Sequence, residues 1–424
     1  MLLKLGWRNL WRRPRRTLLT ASAMGLALAL SMGAITLQSG IQAALFNEMV
    51  TDTLAHLQLH HPDYPREGQL HQTLSASPEH LEALRADPAT AIVTARLLTF
   101  ALAGGERQAS GALVSGVLPG EEDQLSELSR ELREGGRWLS AAAVNEAVLG
   151  AGLAEELELS LGDKLALVTQ DSYGATGSAL YQVVGLVDSG SVALDQGGVW
   201  VHLEALQELL ALEGQAHQLL ITGDPTWERF RPNEPLALQR FKEHLKEHLA
   251  GRPALAPAAL QTWREARPST ASFVEAQEKG AYLMLILVFI AAAFGILNTM
   301  LMAVFERQRE LSLLLSLGLG PARIFALVIS EALLLALIAA LFGLALGGAF
   351  NLWLVEQGID FSVDGGAGLS YGGVRLDPVI RGVVELHWVT KIIIAHFTVT
   401  LLSSLWPALR AARSAPLAGL RGGS

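Results

Sequence analysis

The chain has 424 residues, half of them apolar and 17% charged, with a formal net charge of −9 and no cysteine. That is longer than one ordinary domain and too apolar for a simple soluble protein. The missing thiols exclude a disulfide framework, thiolate chemistry and a cysteine zinc site, which suits a periplasm or cell exterior without requiring one.

Four apolar runs stand out, at 17–38, 281–305, 324–355 and 388–406. Each is near or above the ~20 residues needed to cross ~30 Å of hydrocarbon at ~1.5 Å per residue, so four transmembrane helices are expected. The first run exceeds the about 7 to 15 residues of a signal-peptide core and has no clear small-residue cleavage site, so it reads as an uncleaved anchor. Basic residues set the orientation. Lys4, Arg8, Arg12, Arg13, Arg15 and Arg16 precede the first run, Arg307, Arg309 and Arg323 separate the second and third, and Arg410, Arg413 and Arg421 follow the fourth. These ends, both termini among them, are expected in the cytoplasm, and the acidic surplus falls on the exported part.

The expected organisation is a cytoplasmic N-terminus and first helix (1–40), stalks with a large exported domain (41–278), and three further helices (279–424) with a cytoplasmic segment at 306–318 and an exported loop at 356–387. Ile41, Ala44, Leu45 and Met49 repeat at helical spacing, as do Phe273, Val274 and Gln277 before Ala281, so both membrane helices should continue outward as stalks. Between them AIVTARLLTFALAGGERQASGALVSGV reads as a hairpin turning at Gly104 to Arg107. DKLALVTQ and YQVVGLVDSG read as strands divided by SYGATGSA, NEAVLGAGLAEELEL and HLEALQELLALEG as helices, the second with a glycine stop. Residues 223–268 read as a loop with one short helix around 241–249, and the Gly-rich 356–387 loop has room for a short hairpin. The fold class is an α-helical membrane protein, one plus three helices, with a large α+β extracytoplasmic domain inserted between helices 1 and 2.

Enzymatic motifs are lacking. There is no Gly-Lys dipeptide, hence no Walker A loop to cradle a nucleotide phosphate, and any ATP use must lie in a partner. His244 and His248 stand four apart, but Leu245 replaces the glutamate of a zincin, and the pair reads as a solvated helix face. His56, His60 and His61 read the same way, and Ser115 and Gly120 lack the strand-turn-helix setting of a nucleophile elbow. No metal site is expected.

Inside the runs, Glu331 lies about two turns from the cytoplasmic end, where snorkelling or pairing with Arg323 or Arg307 makes it a structural anchor more readily than an ion site. Asn298 is the main polar group of the second run. Ala291, Ala292, Ala293 and Gly295 there, with Gly25, Ser31 and Gly33 in the first, permit close helix packing or line a path.

The cytoplasmic segment ERQRELSLLLSLGLG, 306–320, reads as a short helix with Arg309, Ser312 and Ser316 on one face and Leu311, Leu314 and Leu315 on another. It suits either a surface-lying amphipathic helix or a leucine row that docks into a partner.

GILNTMLMAVFERQRELSLLLSLGLGPARIFALVISEALLLALIAALFGLALG resembles the C-terminal permease core of the FtsX/MacB/LolC superfamily of ABC transporter membrane subunits. WPALRAARSAPLAGLR is similar to that family's closing signature, through Pro407, Ala408, Arg410, Ala411, Arg413, Pro416, Leu420 and Arg421. WRNLWRRPRRTLL resembles its opening, and GLAEELELSLGDKLALV with YQVVGLVDSG its periplasmic core domain. The resemblance implies a bacterial inner-membrane subunit that holds no cofactor and dimerises, with a second copy or a paralogue, above a cytoplasmic ATPase pair carrying ATP and magnesium. It implies that Glu306, Arg307, Arg309, Glu310, Leu311, Leu314, Leu315 and Gly318 form the coupling helix that receives ATPase closure. The segment departs from the family in lacking a basic residue among its leucines.

HLQLHHPDY resembles a stretch of the lipoprotein-releasing LolC/LolE branch, which implies extraction of lipoproteins or other amphipathic envelope substrates from the membrane lipid. Met24, Leu28, Met32, Ile35, Phe289, Ala293 and Asn298 are then the expected substrate lining. MacB-like efflux with a periplasmic adaptor and FtsX-like control of a cell-wall hydrolase are the rival readings. No nucleic-acid partner is expected.

Overall fold

The structure, a computed structural model, describes residues 2–12, 14–47, 50, 54–126, 128–230, 234–249, 260–361, 370–371, 374–375 and 379–413. In chain order the elements are α1 (Leu2–Trp11), α2 (Pro14–Phe46), β1 (Leu57–His60), α3 (Tyr64–Glu67), β2 (Leu74–Ser75), α4 (Pro78–Arg85), β3 (Thr90–Gly104), β4 (Ala109–Val117), α5 (Pro119–Ser126), β5 (Glu146–Gly150), α6 (Ala151–Glu156), β6 (Lys164–Gln170), β7 (Thr176–Val187), α7 (Val192–Gly197), β8 (Gly198–His202), α8 (Leu203–Leu210), β9 (Gln215–Ala216) and β10 (Gln218–Gly223). There follow α9 (Pro235–Leu249), β11 (Leu260–Thr262), α10 (Trp263–Ala266), α11 (Pro268–Glu306), α12 (Gln308–Ser316), α13 (Pro321–Glu356), β12 (Ile359–Asp360), β13 (Ser370–Tyr371), β14 (Val374–Arg375), β15 (Val379–Ile380) and α14 (Leu386–Ala412). The chain divides into a unit of Met1–Ala43, Glu275–Phe361 and Val379–Ser424 and a unit of Ala44–Val274 and Ser362–Pro378.

The first unit is the membrane bundle. α2, α11, α13 and α14 are each long and apolar enough to cross a membrane. α2 lies against α13 at backbone distance: a Cβ at Gly25 would stand 2.8 Å from the Ala339 carbonyl, and one at Gly343 would stand 2.7 Å from the Gly25 carbonyl. Gly347 faces the Ala29 backbone in the same way, so glycine is what allows this seam to close. Two apolar clusters fill the bundle. One joins Ala21, Met24, Ile296, Met300, Ile324 and Val328; the other joins Leu28, Met32, Ile35, Ala281, Phe289, Trp388 and Ile392.

α1 is an addition to the expected fold. Its Gly6 packs on α13, 3.2 Å from Ser330 Oγ for an added Cβ, while Trp7 and Trp11 stay about half exposed with rings 5.8 Å apart. Tryptophan beside Lys4 and Arg8 on a short helix is the composition of a membrane-interface element. After it, Pro14 opens α2, where its fixed φ and missing N–H cost nothing.

The second unit is the α+β domain. Its nine-stranded sheet runs β11-β1-β10-β3-β4-β8-β5-β7-β6, and β6 pairs back on to β3 through Leu102↔Val168. Six strands therefore close into a ring, and the 15-residue β3 also carries β10, β1 and β11 as an open extension. Alternation sends Leu97, Ala101, Ala103, Val114, Leu165 and Leu167 into the core. Phe46 at the end of α2 and Val50 beyond it, with Ala271 and Val274 from the start of α11, join the same core. Met49 lies outside the described residues.

Several local readings are corrected. NEAVLGAGLAEELEL is half strand: β5 is buried along its whole length between β7 and β8, and the helix begins only at Ala151. A short apolar run carries no period that separates the two states, and tertiary pairing decides. GVWVH forms the unexpected β8, paired with β4 and β5. TGSA, from Thr176, belongs to β7, leaving a turn in which Asp171 Oδ1 accepts the N–H groups of Tyr173 and Ala175. α8 ends not at a glycine but at Ala211, held left-handed at φ 53°. α9 starts at Pro235, earlier than expected. In the smaller loop, Ile359↔Ile380 and Asp360↔Val379 close the base, and β13 pairs with β14.

Candidate coupling site and membrane cleft

The chain turns from α11 into α12 at Arg307, whose guanidinium reaches both oxygens of Glu331 on α13 at 3.1 and 2.8 Å and Glu310 Oε2 at 3.3 Å. Asn9 of α1 donates to Glu331 Oε1 at 2.7 Å, and Arg12 reaches Glu310 at 3.4 Å. One polar cluster thus ties α1, α12 and α13 together. Burial would lower the affinity of Arg307 for its proton, but Glu331 and Glu310 outweigh that, and the group is held above the usual arginine range. Of the two arginines weighed for Glu331, the structure selects Arg307, and Arg323 is exposed.

α12 presents its leucines on two faces. Leu311 is 3% exposed, and Leu314 and Leu315 pack with it against Ile324 and Val328 of α13. Leu313 and Leu317, 50% and 75% exposed, face outward with Arg309 and Ser316. The leucine row expected to dock into a partner is therefore turned into the chain's own bundle. Glu306 and Gly318 are exposed as well. Gly318 closes the helix at φ 90°, with Gly318 N–H bonded to Leu315 O at 3.1 Å and Leu319 N–H to Leu314 O at 3.0 Å, the two bonds of a Schellman cap. Near the same end Pro407 is buried within α14, and Arg410 stacks 4.6 Å over the Phe305 ring.

Between α2 and α11 lies a cavity of about 350 Å³ lined by Met24, Ala27, Leu28, Phe289, Ala292 and Ile296, with His396 of α14 also on its wall. Of the expected lining, Met24, Leu28 and Phe289 are there. Met32 and Ile35 instead seal the far half against Ala281, Trp388 and Ile392. There Lys391 Nζ also donates to the Tyr282 hydroxyl at 2.9 Å, clasping α11 to α14. Ala293 is half-buried and stands next to Ala292 of the lining, and Asn298 is exposed. His396, buried and bonded to Ala336 O at 3.3 Å, went unnoticed in the sequence, although an ionisable group inside an apolar run marks it as clearly as Glu331.

In the second unit His56, His60 and His217 are buried and structural, not a solvated face. His56 accepts the Gly223 N–H at 2.9 Å, and burial pushes it down to about 4. Burial likewise lowers His60 and His217. His244 and His248 are not a free solvated face: both reach the buried carboxylate of Asp87, at 3.1 and 3.3 Å. On the outer face of the ring Phe100 and Leu102 of β3 are exposed, Phe100 79% so and opposite Leu113 of β4, and Leu180 is exposed on β7, with β6 between β7 and β3.

The MacB-like periplasmic core domain matches residues 17–227, and the FtsX-like permease C-terminal domain matches residues 282–416. The lipoprotein-releasing system transmembrane protein LolC of Xylella fastidiosa is 24% identical over 416 residues, 95% of this chain and 93% of that protein. LolE of Haemophilus influenzae is 24% identical over 425 residues, 97% of each. Among solved structures, the periplasmic region of MacB from Actinobacillus actinomycetemcomitans covers 53% of this chain and 93% of its own, at 11% identity and a TM-score of 0.36. The chain belongs to the FtsX/MacB-type permeases of ABC transporters. It is a multi-pass membrane subunit with an extracytoplasmic domain, partnered with an ATPase subunit and not itself an ATPase.

Proposed function

We propose that this subunit converts ATP-driven closure of a cytoplasmic ATPase pair into movement of its extracytoplasmic domain, releasing lipoproteins or related amphipathic substrates from the outer leaflet of a bacterial inner membrane. Both termini and α12 lie in the cytoplasm, ATP and magnesium belong to the ATPase, and a second copy or a paralogue completes the dimer. The observation that carries the reading is the split of α12: an inner face fixed to α13 and an outer face, Arg309, Leu313 and Leu317, left for a partner. A push on the outer face then moves α13 with it, and the Arg307 cluster carries the same displacement to α1. Loading of acyl chains requires the far half of the α2–α11 seam to open at Met32, Ile35 and Phe289. The lipoprotein cargo is supported by the lipoprotein-releasing systems to which the two relatives belong and by the exposed Phe100, Leu102 and Leu180 on the outer face of the ring, apolar side chains suited to greasy cargo.

The test is mass spectrometry of what co-purifies with the tagged chain in mild detergent, beside a Leu313→Asp/Leu317→Asp variant. The expected result is an ATPase with lipoprotein on the wild type and loss of the ATPase from the variant, because the new charges would have to be desolvated. An adaptor or a hydrolase in place of lipoprotein would replace the cargo assignment, and an ATPase retained unchanged by the variant would refute the outer docking face.

A further inference from the structure

The cavity between α2 and α11 does not end blindly toward α1. A second cavity of about 250 Å³, holding Arg12, Arg307, Glu310 and Glu331, shares Thr20 and Thr299 with it, so a polar mouth leads into an apolar interior. The interior runs along α2 only from Leu19 to Ser31, and beyond it Met32, Ile35 and Ala281 close the seam. The whole cleft therefore lies in the half of the bundle next to α1 and α12. In the mouth, Arg307 and Glu331 engage each other, with side chains 19% and 12% exposed. Arg12 and Glu310 stand at the rim, 65% and 47% exposed and 3.4 Å apart, and Arg307 Nε also reaches Glu310 Oε2 at 3.3 Å, which leaves the other Glu310 oxygen as the acceptor at the rim.

We propose that this cleft binds one zwitterionic phospholipid of the phosphatidylethanolamine type, with its phosphate on Arg12, its ammonium on Glu310 and one acyl chain in the apolar interior. The lipid comes from the cytoplasmic leaflet, an assignment that rests on the orientation proposed above. Charge selects the occupant. An anionic headgroup has to face the Glu310 carboxylate and a cationic amphiphile has to face Arg12, whereas a headgroup of both signs meets each with its opposite. Size agrees, since a helix about 10 Å across has no room in a cavity of this volume and a single acyl chain does. The cargo of the proposed transport enters from the opposite leaflet, where α2 and α11 are sealed, so this lipid is a resident of the permease.

The full chain alone, in mild detergent, is incubated with equal amounts of phosphatidylethanolamine and phosphatidylglycerol, and retained lipid is counted by native mass spectrometry. One phosphatidylethanolamine per chain is expected, favoured by about fivefold, the discrimination available to one rim charge. Glu310→Gln should abolish the preference. Ala27→Phe, which fills the interior, should expel the lipid while circular dichroism stays unchanged, and Ala23→Leu serves the same purpose should the larger residue prevent folding. Equal retention of both lipids by the wild type, undiminished retention in a folded cavity-filled variant, or a folded wild type holding detergent only would overturn the proposal. Neither ATPase nor lipoprotein enters the assay, so its failure leaves the transport role standing, and failure of that role leaves the lipid result standing.

Discussion

α2 meets its two neighbours in opposite ways. Toward α13, Gly25 and Gly343 bring backbone against backbone, and any added carbon would collide with a carbonyl. Toward α11, the facing Gly295 has nothing within 4 Å of where a side chain would begin, and a cavity of about 350 Å³ opens. Small residues occur on both sides and mean different things: one set closes a seam, the other leaves it able to part. A bundle that transmits a push needs both, since packed interfaces shift between discrete arrangements more readily than they deform.

The largest test of that contrast is Gly343→Leu against Gly295→Ala. The first forces a side chain into the Gly25 carbonyl and Leu28, at a cost of about 3 kcal/mol or more. The second removes only backbone freedom and should be neutral or stabilising by up to about 1 kcal/mol. Melting temperatures of the two variants in one detergent decide it, and similar losses would mean that both seams are equally tight.

Next comes the cluster that guards the mouth of the open seam. Arg307→Ala leaves the Glu331 carboxylate, 12% exposed, without its cation and should cost about 3 kcal/mol. Removing both in Arg307→Ala/Glu331→Ala should return most of that loss, which a double-mutant cycle on thermal stability measures. Simple additivity would show that Arg307 acts elsewhere.

The extracytoplasmic domain supplies a sealed reference outside the bundle. His56 is neutral in the folded state down to about 4, whereas in the unfolded chain it takes up a proton as pH falls through 6.5. The unfolded state therefore binds more protons between those values. Stability should drop by about 3 kcal/mol at most as pH falls from 6.5 to 4, and no further below, with His60 and His217 acting in the same direction. Unfolding followed by tryptophan emission at pH 7, 6 and 5 should show a steady decline, and a flat profile would contradict the assignment.

Methionine truncations then compare the two halves of the α2–α11 seam. Met32 sits in the sealed half, and Met32→Ala should cost about 3 kcal/mol. Met24 is equally buried but already borders a void, so Met24→Ala should cost about 1 kcal/mol less. Equal losses would place the cavity wall elsewhere.

What the sequence made legible follows from the scale of each signal. The four crossing helices were plain because ~20 apolar residues admit no other reading. α12 was locatable, lying within 306–318, yet its orientation was not, since Leu311, Leu314 and Leu315 on one side and Leu313 and Leu317 on the other offer two leucine faces with nothing local to choose between them. α1 hid among basic residues that served the orientation argument, and only its packing on α13 makes it a helix with a role. Met24, Leu28 and Phe289 were placed in the cleft, whereas Met32 and Ile35 carry the same apolar character and close it. Partners across a seam are a tertiary fact, and composition along one helix does not contain them.

The smallest effect concerns the end of α12, where a tight structure and an open surface coincide. Gly318 holds φ 90° and an added Cβ would touch nothing within 4 Å, so space is irrelevant there and backbone strain alone is at stake. Gly318→Ala should cost about 1 kcal/mol, the penalty of a left-handed L-residue, and fray the bonds from Gly318 to Leu315 and from Leu319 to Leu314. Gly320→Ala, equally open but at φ −61°, is the control and should leave stability unchanged. If the two variants melt together, the cap does not hold α12 in register, and the outer face formed by Leu313 and Leu317 would be positioned by the packing of Leu311, Leu314 and Leu315 alone.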